Sequence, residues 1–153
     1  TVQLCLVYRY FYCNENLAMG LMKCVYLIYI YIYGFCFYCN EKLSPPPKGV
    51  KIHVDHFIPR SYVGNDSMWN FVLSCSRCNL SKSDSLADDF TGKFFKNIGK
   101  YKNKIPKLKL SIKNLDEKNW KKEIGKIYEN CHDYGFTKIT KSDILKWKND
   151  AVQ

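Results

Sequence analysis

Strict alternation of apolar and polar positions is confined to short stretches of this chain. Residues 51–56 alternate as a half-buried strand does, and Pro59 ends that pattern. Residues 69–73 form a second short apolar run, which suits the antiparallel partner of the first in a hairpin. Three consecutive prolines and Gly49 place a loop before the first strand.

Helical spacing of apolar residues takes over after this hairpin. We predict one helix over residues 79–90, with Leu80 and Leu86 on its inner side. Further along, Asp116 is suited to an N-cap and Gly135 to a helix end. The helix between them would bury apolar side chains that recur every three or four positions: Trp120, Ile124, Ile127, Tyr128 and Cys131.

The end of the chain is expected to be helical, amphipathic and basic on its outer face. Thr140 or Ser142 can cap a last short helix that carries Leu145 and Trp147. Of the net charge of +10, most lies in residues 93–153, with sixteen lysines against seven acids. Such a surplus suits a polyanionic partner, because lysines near phosphates release counterions, although a face that only confers solubility is the alternative.

The N-terminal segment, residues 1–34, is largely apolar, and its sequence predicts no function. Tyrosine and isoleucine alternate over residues 26–33, which predicts a strand. A membrane span over residues 17–39 is the alternative, since it is long enough. We expect no membrane partner, because that span would contain Lys23 and would end inside a pair of cysteines.

Four of the eight cysteines form two C-x-x-C pairs: Cys36, Cys39, Cys75 and Cys78. Two such pairs can surround a zinc ion tetrahedrally, and we predict that they hold a structural zinc. Paired C-x-x-C units in a chain of this size favour metal binding in a reducing compartment over a disulfide framework. We therefore expect a cytoplasmic protein.

The chain between and around the cysteine pairs carries further motifs in a fixed order. Residues 54–61 read V-D-H-F-I-P-R-S, residues 69–71 read W-N-F, and residues 75–82 read C-S-R-C-N-L-S-K. This set resembles the HNH endonuclease superfamily over about residues 35–86. The resemblance implies an α+β fold, with a ββα-metal (His-Me finger) core stabilised by the four-cysteine zinc site and followed by a basic helical C-terminal extension.

The same resemblance implies catalytic roles for four residues. Asp55 and Asn79 would bind one catalytic Mg²⁺ or Mn²⁺, His56 would act as general base, and Asn70 would brace the loop and orient His56. The chemistry is consistent with these roles, because imidazole titrates near neutral pH and carboxylate and amide oxygens suit a hard cation. Many family members have histidine in place of Asn79, and an oxygen-only site favours magnesium or manganese over softer metals.

Three basic residues are the expected contacts to nucleic acid: Arg60, Arg77 and Lys82. His53 precedes Asp55 by two positions on the same strand face, so it either supports the metal site or is simply exposed. The predicted regions are an N-terminal segment (1–34), an HNH nuclease core (35–92) and a basic helical accessory region (93–153).

The leading hypothesis is a metal-dependent endonuclease that cleaves DNA, by preference double-stranded, through a one-metal mechanism. Restriction, phage defence and mobile-element biology are the expected settings. The alternative, suggested by Asn79, is a catalytically inactive, zinc-stabilised module that binds nucleic acid. No small-molecule cofactor is expected, and a homodimer is left open.

Overall fold

The computed structural model describes residues 34–43 and 48–150, which contain short strands and helices in a mixed α+β arrangement. The α+β class predicted from the sequence is confirmed at this level. The predictions for residues 1–33, including the strand over residues 26–33, lie outside the described residues, as does the side chain of Trp147. No helix within the described ranges is long and apolar enough to cross a membrane.

The predicted hairpin is present. Strand β1 (Ile52–His56) pairs antiparallel with strand β2 (Phe71–Cys75). The connection between them contains the short helix α1 (Arg60–Val63). Strand β2 begins two residues later than predicted, because Met68–Asn70 form a 3-10 turn before it.

The single helix predicted over residues 79–90 is wrong. Helix α2 (Ser76–Lys82) begins inside the second cysteine pair, where the Cys75 Sγ accepts the amide hydrogen of Cys78 over 3.4 Å. It ends at Ser83, which has a positive φ of 48° and cannot continue a right-handed helix. Leu80, predicted to face inward, is 73% exposed.

The chain after Ser83 forms a non-local strand pair instead of more helix. Strand β3 (Leu86–Ala87) pairs parallel with strand β4 (Lys138–Ile139), which comes from near the end of the chain. A 3-10 turn over Asp88–Phe90 follows β3. The burial predicted for Leu86 is confirmed, although in a strand.

Four more helices complete the described chain: α3 (Thr91–Tyr101), α4 (Pro106–Lys113), α5 (Trp120–Asp133) and α6 (Lys141–Asp150). The burial predicted for the inner face of α5 is confirmed, with Ile127 only partly buried. Gly135 follows α5 with a φ of 112°, as a helix end requires. Asp116 is not the N-cap of α5: it accepts the amide hydrogens of Lys118 and Asn119 in the turn before it.

One hydrophobic core joins the hairpin to the C-terminal helices. The Phe57 ring stacks on Phe94 of α3 at 4.0 Å between centroids and lies 6.0 Å from Tyr128 of α5. Helix α6 packs against α2, which also contacts the hairpin. Helix α2 is therefore held on one side by the strands and on another by the end of the chain.

Candidate functional site

The four paired cysteines lie together, with their sulfurs all within 4.8 Å of one another. The Sγ atoms of Cys39 and Cys75 are 3.9 Å apart. A tetrahedral zinc with Zn–S bonds of about 2.3 Å places its sulfurs about 3.8 Å apart, so the cluster fits zinc. Among the described residues it is the only group of three or more His, Cys, Asp or Glu donors close enough to share an ion.

Backbone hydrogen bonds shape the first cysteine pair into a turn attached to the hairpin. The amide of Cys36 donates to the Glu41 carbonyl over 2.8 Å, and the amide of Phe37 donates to the carbonyl of Leu73 in β2 over 2.7 Å. Hydrogen bonding from Cys36 holds the pKa of Cys39 below its ordinary value, whereas hydrogen bonding with Cys36 raises the pKa of Cys78. Thiol pKa values that differ in this way are expected where four sulfur atoms lie close together. A bound cation would allow all four thiols to ionise.

Strand β1 and helix α2 meet through two side-chain contacts. The Asn79 Nδ2 lies 3.1 Å from the His53 Nδ1, and the Lys82 Nζ lies 3.6 Å from the Asp55 Oδ2. His53 and Asp55 are two apart on a strand, and Asn79 and Lys82 are three apart on a helix, so each pair shares a face. The predicted cation ligands, Asp55 and Asn79, therefore lie on facing surfaces of these two elements.

Asp55 is a buried carboxylate whose charge is balanced by two neighbours. The Tyr38 hydroxyl donates to Oδ2 over 2.6 Å, and the ammonium of Lys82 lies beside the same oxygen. Burial raises the pKa of Asp55, and Lys82 and then Tyr38 oppose that rise. Both neighbours contact Oδ2, no described side chain hydrogen-bonds to Oδ1, and a backbone hydrogen bond from His56 also lowers the pKa of this carboxyl.

The donors present fit a hard divalent cation. Asp55 offers Oδ1, and Asn79 offers its amide oxygen, because Nδ2 is the atom that faces His53. Magnesium in proteins is often held by only one or two side-chain oxygens, with water and substrate phosphate completing its coordination. These two residues would hold the ion, and the adjacent Lys82 ammonium would reduce its affinity.

His56 faces a different group, the loop between the strands. Its Nε2 lies 3.1 Å from the Asp66 Oδ1, which also accepts from the Arg60 Nε over 2.8 Å. Hydrogen bonding from Arg60 lowers the pKa of Asp66, and an ionised carboxylate can only accept hydrogen bonds. The Nε2 of His56 is therefore the donor, and Nδ1 carries the lone pair. Burial lowers the pKa of His56 against the opposing effect of Asp66, which favours the neutral imidazole that a base requires.

Asn70 is fully buried at the start of β2 and fixes the chain just after His56. Its Oδ1 accepts the Ile58 amide hydrogen and its Nδ2 donates to the Ile58 carbonyl, each over 2.8 Å. The backbone carbonyl of Asn70 accepts the Phe57 amide hydrogen over 2.7 Å. These three bonds lock residues 57 and 58 against β2. The orienting role assigned to Asn70 stays a prediction.

The three basic residues predicted to contact nucleic acid have different surroundings. Arg60 is exposed, with its Nε bound to Asp66, and Arg77 is partly buried on α2. Lys82 is only 1% exposed and paired with Asp55. Phosphate contacts by Arg60 and Arg77 stay predictions, and the burial of Lys82 does not support such a contact for it.

Three residues outside the predicted set contact the predicted ones: Tyr38, His53 and Asp66. The sequence had left His53 open between supporting the metal site and being exposed, and the structure places its Nδ1 3.1 Å from the Asn79 Nδ2. Tyr38 lies within the first cysteine pair and Asp66 in the connecting loop, and neither position carries a local pattern that indicates its partner.

The chain was compared with known protein families, curated proteins and solved structures. Residues 36–87, about a third of the chain, match the family model described as HNH endonuclease. No curated protein and no solved structure matches the chain. The match covers both cysteine pairs, the hairpin and α2.

Proposed function

We propose that this protein is a metal-dependent endonuclease that hydrolyses DNA phosphodiester bonds, because residues 36–87 match the HNH endonuclease family model. In this proposal β1, β2 and α2 are the ββα-metal core, and the four cysteines hold its structural zinc. The observation that carries the proposal is His56, a partly buried imidazole whose Nε2 is engaged by Asp66 and whose Nδ1 is left basic.

The residues divide the chemistry between them. His56 Nδ1 takes the proton from the attacking water, while Asp66 holds the ring and stabilises the imidazolium that results. Asp55 and Asn79 would hold a single Mg²⁺ or Mn²⁺, which would stabilise the charge that develops on the phosphate and on the leaving oxygen. Asn70 keeps His56 in place through the backbone of residues 57 and 58.

Charge and composition support the choice of substrate. The net charge of +10 suits a polyanion, and exposed lysines on α4 and the segment before it provide a surface for phosphates. Double-stranded DNA, a cytoplasmic location and a role in restriction, phage defence or mobile-element biology are parts of the same proposal. Cleavage of both strands by one active site would be served by a homodimer.

A second function has one specific observation in its favour. The Lys82 ammonium lies 3.6 Å from the Asp55 Oδ2, so a positive charge already neutralises the carboxylate that would bind the catalytic cation. A protein with this pair permanently in place would be a zinc-stabilised module that binds nucleic acid without cleaving it. Such a module binds in a salt-dependent way and gives no metal-dependent products.

Cleavage of plasmid DNA in Mg²⁺ or Mn²⁺ separates the two functions. We expect the wild-type protein to nick or linearise the plasmid, and His56→Ala to lose activity by at least about a hundredfold, as removal of a general base does. His132→Ala, which removes an exposed histidine on α5, is the matched control and should cleave normally. Salt-dependent binding with no cleavage by the wild-type protein would favour the inactive module, and equal cleavage by His56→Ala would rule out His56 as the base.

A further inference from the structure

The first cysteine pair does more than supply two sulfurs, because one of the two buried residues between them contacts the predicted catalytic carboxylate. Tyr38 lies in the turn between Cys36 and Cys39 and is only 2% exposed. Its hydroxyl donates to the Asp55 Oδ2 over 2.6 Å, a short hydrogen bond of the kind made to an ionised acceptor. The structure thus joins the zinc-binding turn to β1 through one buried bond.

Tyr38 is itself held firmly. Its ring packs edge-on against Phe37 at 5.2 Å and against Phe90 at 5.3 Å between centroids. The turn that carries it is fixed to β2 by the bond from the Phe37 amide to the Leu73 carbonyl. These contacts fix the position of the Tyr38 ring, so its hydroxyl oxygen can hold a neighbouring side chain in one orientation.

Asp55 needs an anchor of this kind. The last torsion of an aspartate side chain is broad, so the backbone and rotamer do not decide which way its two oxygens face. Lys82 neutralises the charge, but at 3.6 Å its ammonium is an ion pair without a directed hydrogen bond. Among the described side chains, the Tyr38 hydroxyl is therefore the one that makes a directed hydrogen bond to this carboxylate, and it engages Oδ2.

We propose that Tyr38 is a positioning residue for the catalytic cation: from the zinc-binding turn, it fixes the Asp55 carboxylate so that Oδ1 faces the ion. This inference rests on the proposed function in one respect, the assignment of Asp55 as a cation ligand. It makes the cysteine cluster part of the catalytic apparatus, because a displaced turn would release Asp55.

The test compares two Tyr→Phe changes in the full chain with zinc bound. Tyr38→Phe removes the hydroxyl that contacts Asp55. Tyr128→Phe removes another largely buried tyrosine hydroxyl, which donates to the Asp88 Oδ1 over 3.2 Å away from the predicted catalytic residues. Free Mn²⁺ is measured by electron paramagnetic resonance during titration, and zinc content and the urea midpoint are measured on the same samples.

We expect Tyr38→Phe to bind Mn²⁺ at least about tenfold more weakly with its zinc retained, as loss of an outer partner of a metal ligand does. Tyr128→Phe should bind as the wild type does. Unchanged Mn²⁺ affinity in Tyr38→Phe, or an equal loss in Tyr128→Phe, would overturn the inference.

Asp55→Ala distinguishes this failure from failure of the underlying assignment. If Asp55→Ala binds Mn²⁺ as tightly as the wild type, Asp55 is not a ligand and both proposals fall. If Asp55→Ala loses the site while Tyr38→Phe keeps it, the proposed function stands and only the role of Tyr38 is rejected. Loss of zinc in Tyr38→Phe would also overturn the inference, because the hydroxyl would then act on the cysteine cluster and not on Asp55 alone.

Discussion

Individual contacts, more than residue types, distinguish this site. Two of the predicted catalytic residues have hydrogen-bond partners outside the sequence motifs. Asp66 accepts a hydrogen bond from the Nε2 of His56, and His53 lies within hydrogen-bond distance of Asn79. Each partner fixes one end of a planar group, and so decides which atom of that group is left for chemistry. Substitutions of these single partner residues therefore test the proposed mechanism most directly.

His53 should matter through Asn79. In His53→Ala the amide loses the acceptor that holds its Nδ2, and its oxygen is no longer directed to the cation. We expect Mn²⁺ affinity to fall about tenfold, measured by titration under electron paramagnetic resonance. His53→Asn, which keeps an acceptor near the position of Nδ1, should recover part of that loss. Equal affinity in the wild type and His53→Ala would show that His53 is only a surface residue.

Asn70 should matter first to stability. Its side chain satisfies both the amide and the carbonyl of Ile58 inside the core, so Asn70→Ala leaves two buried polar groups unpaired. At about 1–3 kcal/mol for each such group, the free energy of unfolding should fall by at least about 2 kcal/mol in urea titration. Asn114→Ala, an exposed asparagine after α4, is the control and should change it by less than about 0.5 kcal/mol. A similar small change for Asn70→Ala would contradict the bracing role.

Among the elements, α2 and α6 depend on each other. Helix α2 carries Asn79 and Lys82 and spans only seven residues, too few to be stable alone, so packing against β1, β2 and α6 maintains it. Helix α6 begins with a capping arrangement that the sequence had left open between two residues. Thr140 is the cap: its Oγ1 accepts the Asp143 amide hydrogen, and the Asp143 carboxylate accepts the Thr140 amide hydrogen over 2.8 Å.

This cap should give stability a dependence on acidic pH. Hydrogen bonding from Thr140 lowers the pKa of Asp143 from its ordinary value of 3.8. A lowered folded-state pKa means that the stabilisation is present above the unfolded pKa and is lost as pH falls through the folded one. The urea midpoint of Asp143→Asn should lie below that of the wild type at pH 6, and the difference should shrink below pH 3.8. Asp133→Asn, an exposed acid at the end of α5, is the charge-matched control, and a difference independent of pH would argue against the cap.

At the scale of the whole molecule, a modest core is supplemented by a metal cluster and a basic surface. The cysteine cluster ties a turn at the start of the described chain to the end of β2 and the start of α2. The hairpin and α2 are otherwise short elements. Bound zinc is thus expected to contribute a large share of the stability of residues 36–87, since structural zinc binding in finger peptides is worth about 10–16 kcal/mol.

Zinc should be bound once per chain and required for folding of the site. We expect one zinc per chain by elemental analysis, and expect Cys75→Ser to lose most of it together with the cooperative urea transition. Cys131→Ala is the control, because Cys131 is equally buried but lies on α5 outside the cluster. It should keep its zinc and lose only packing energy. Full zinc content in Cys75→Ser would exclude the four-cysteine site.

Some of this protein was determined by the sequence alone. The hairpin, the inner face of α5 and the identity of the cysteine cluster follow from periodicity and spacing, because those signals report which nearby residues share a face or a turn. The family resemblance over the cysteine pairs and the D-H and C-N motifs was also readable there, and the HNH match bears it out.

Other features were decided only by the tertiary structure. Helix α2 ends at Ser83 because the following residues pair with β4, about fifty positions away along the chain. The contacts of Tyr38 with Asp55 and of Asn79 with His53 join residues 17 and 26 positions apart. Local patterns carry no information about such pairs, because which side chains meet depends on how whole elements pack. The sequence thus indicates which residues belong to the candidate site, and packing decides which atoms of their side chains hydrogen-bond within the protein.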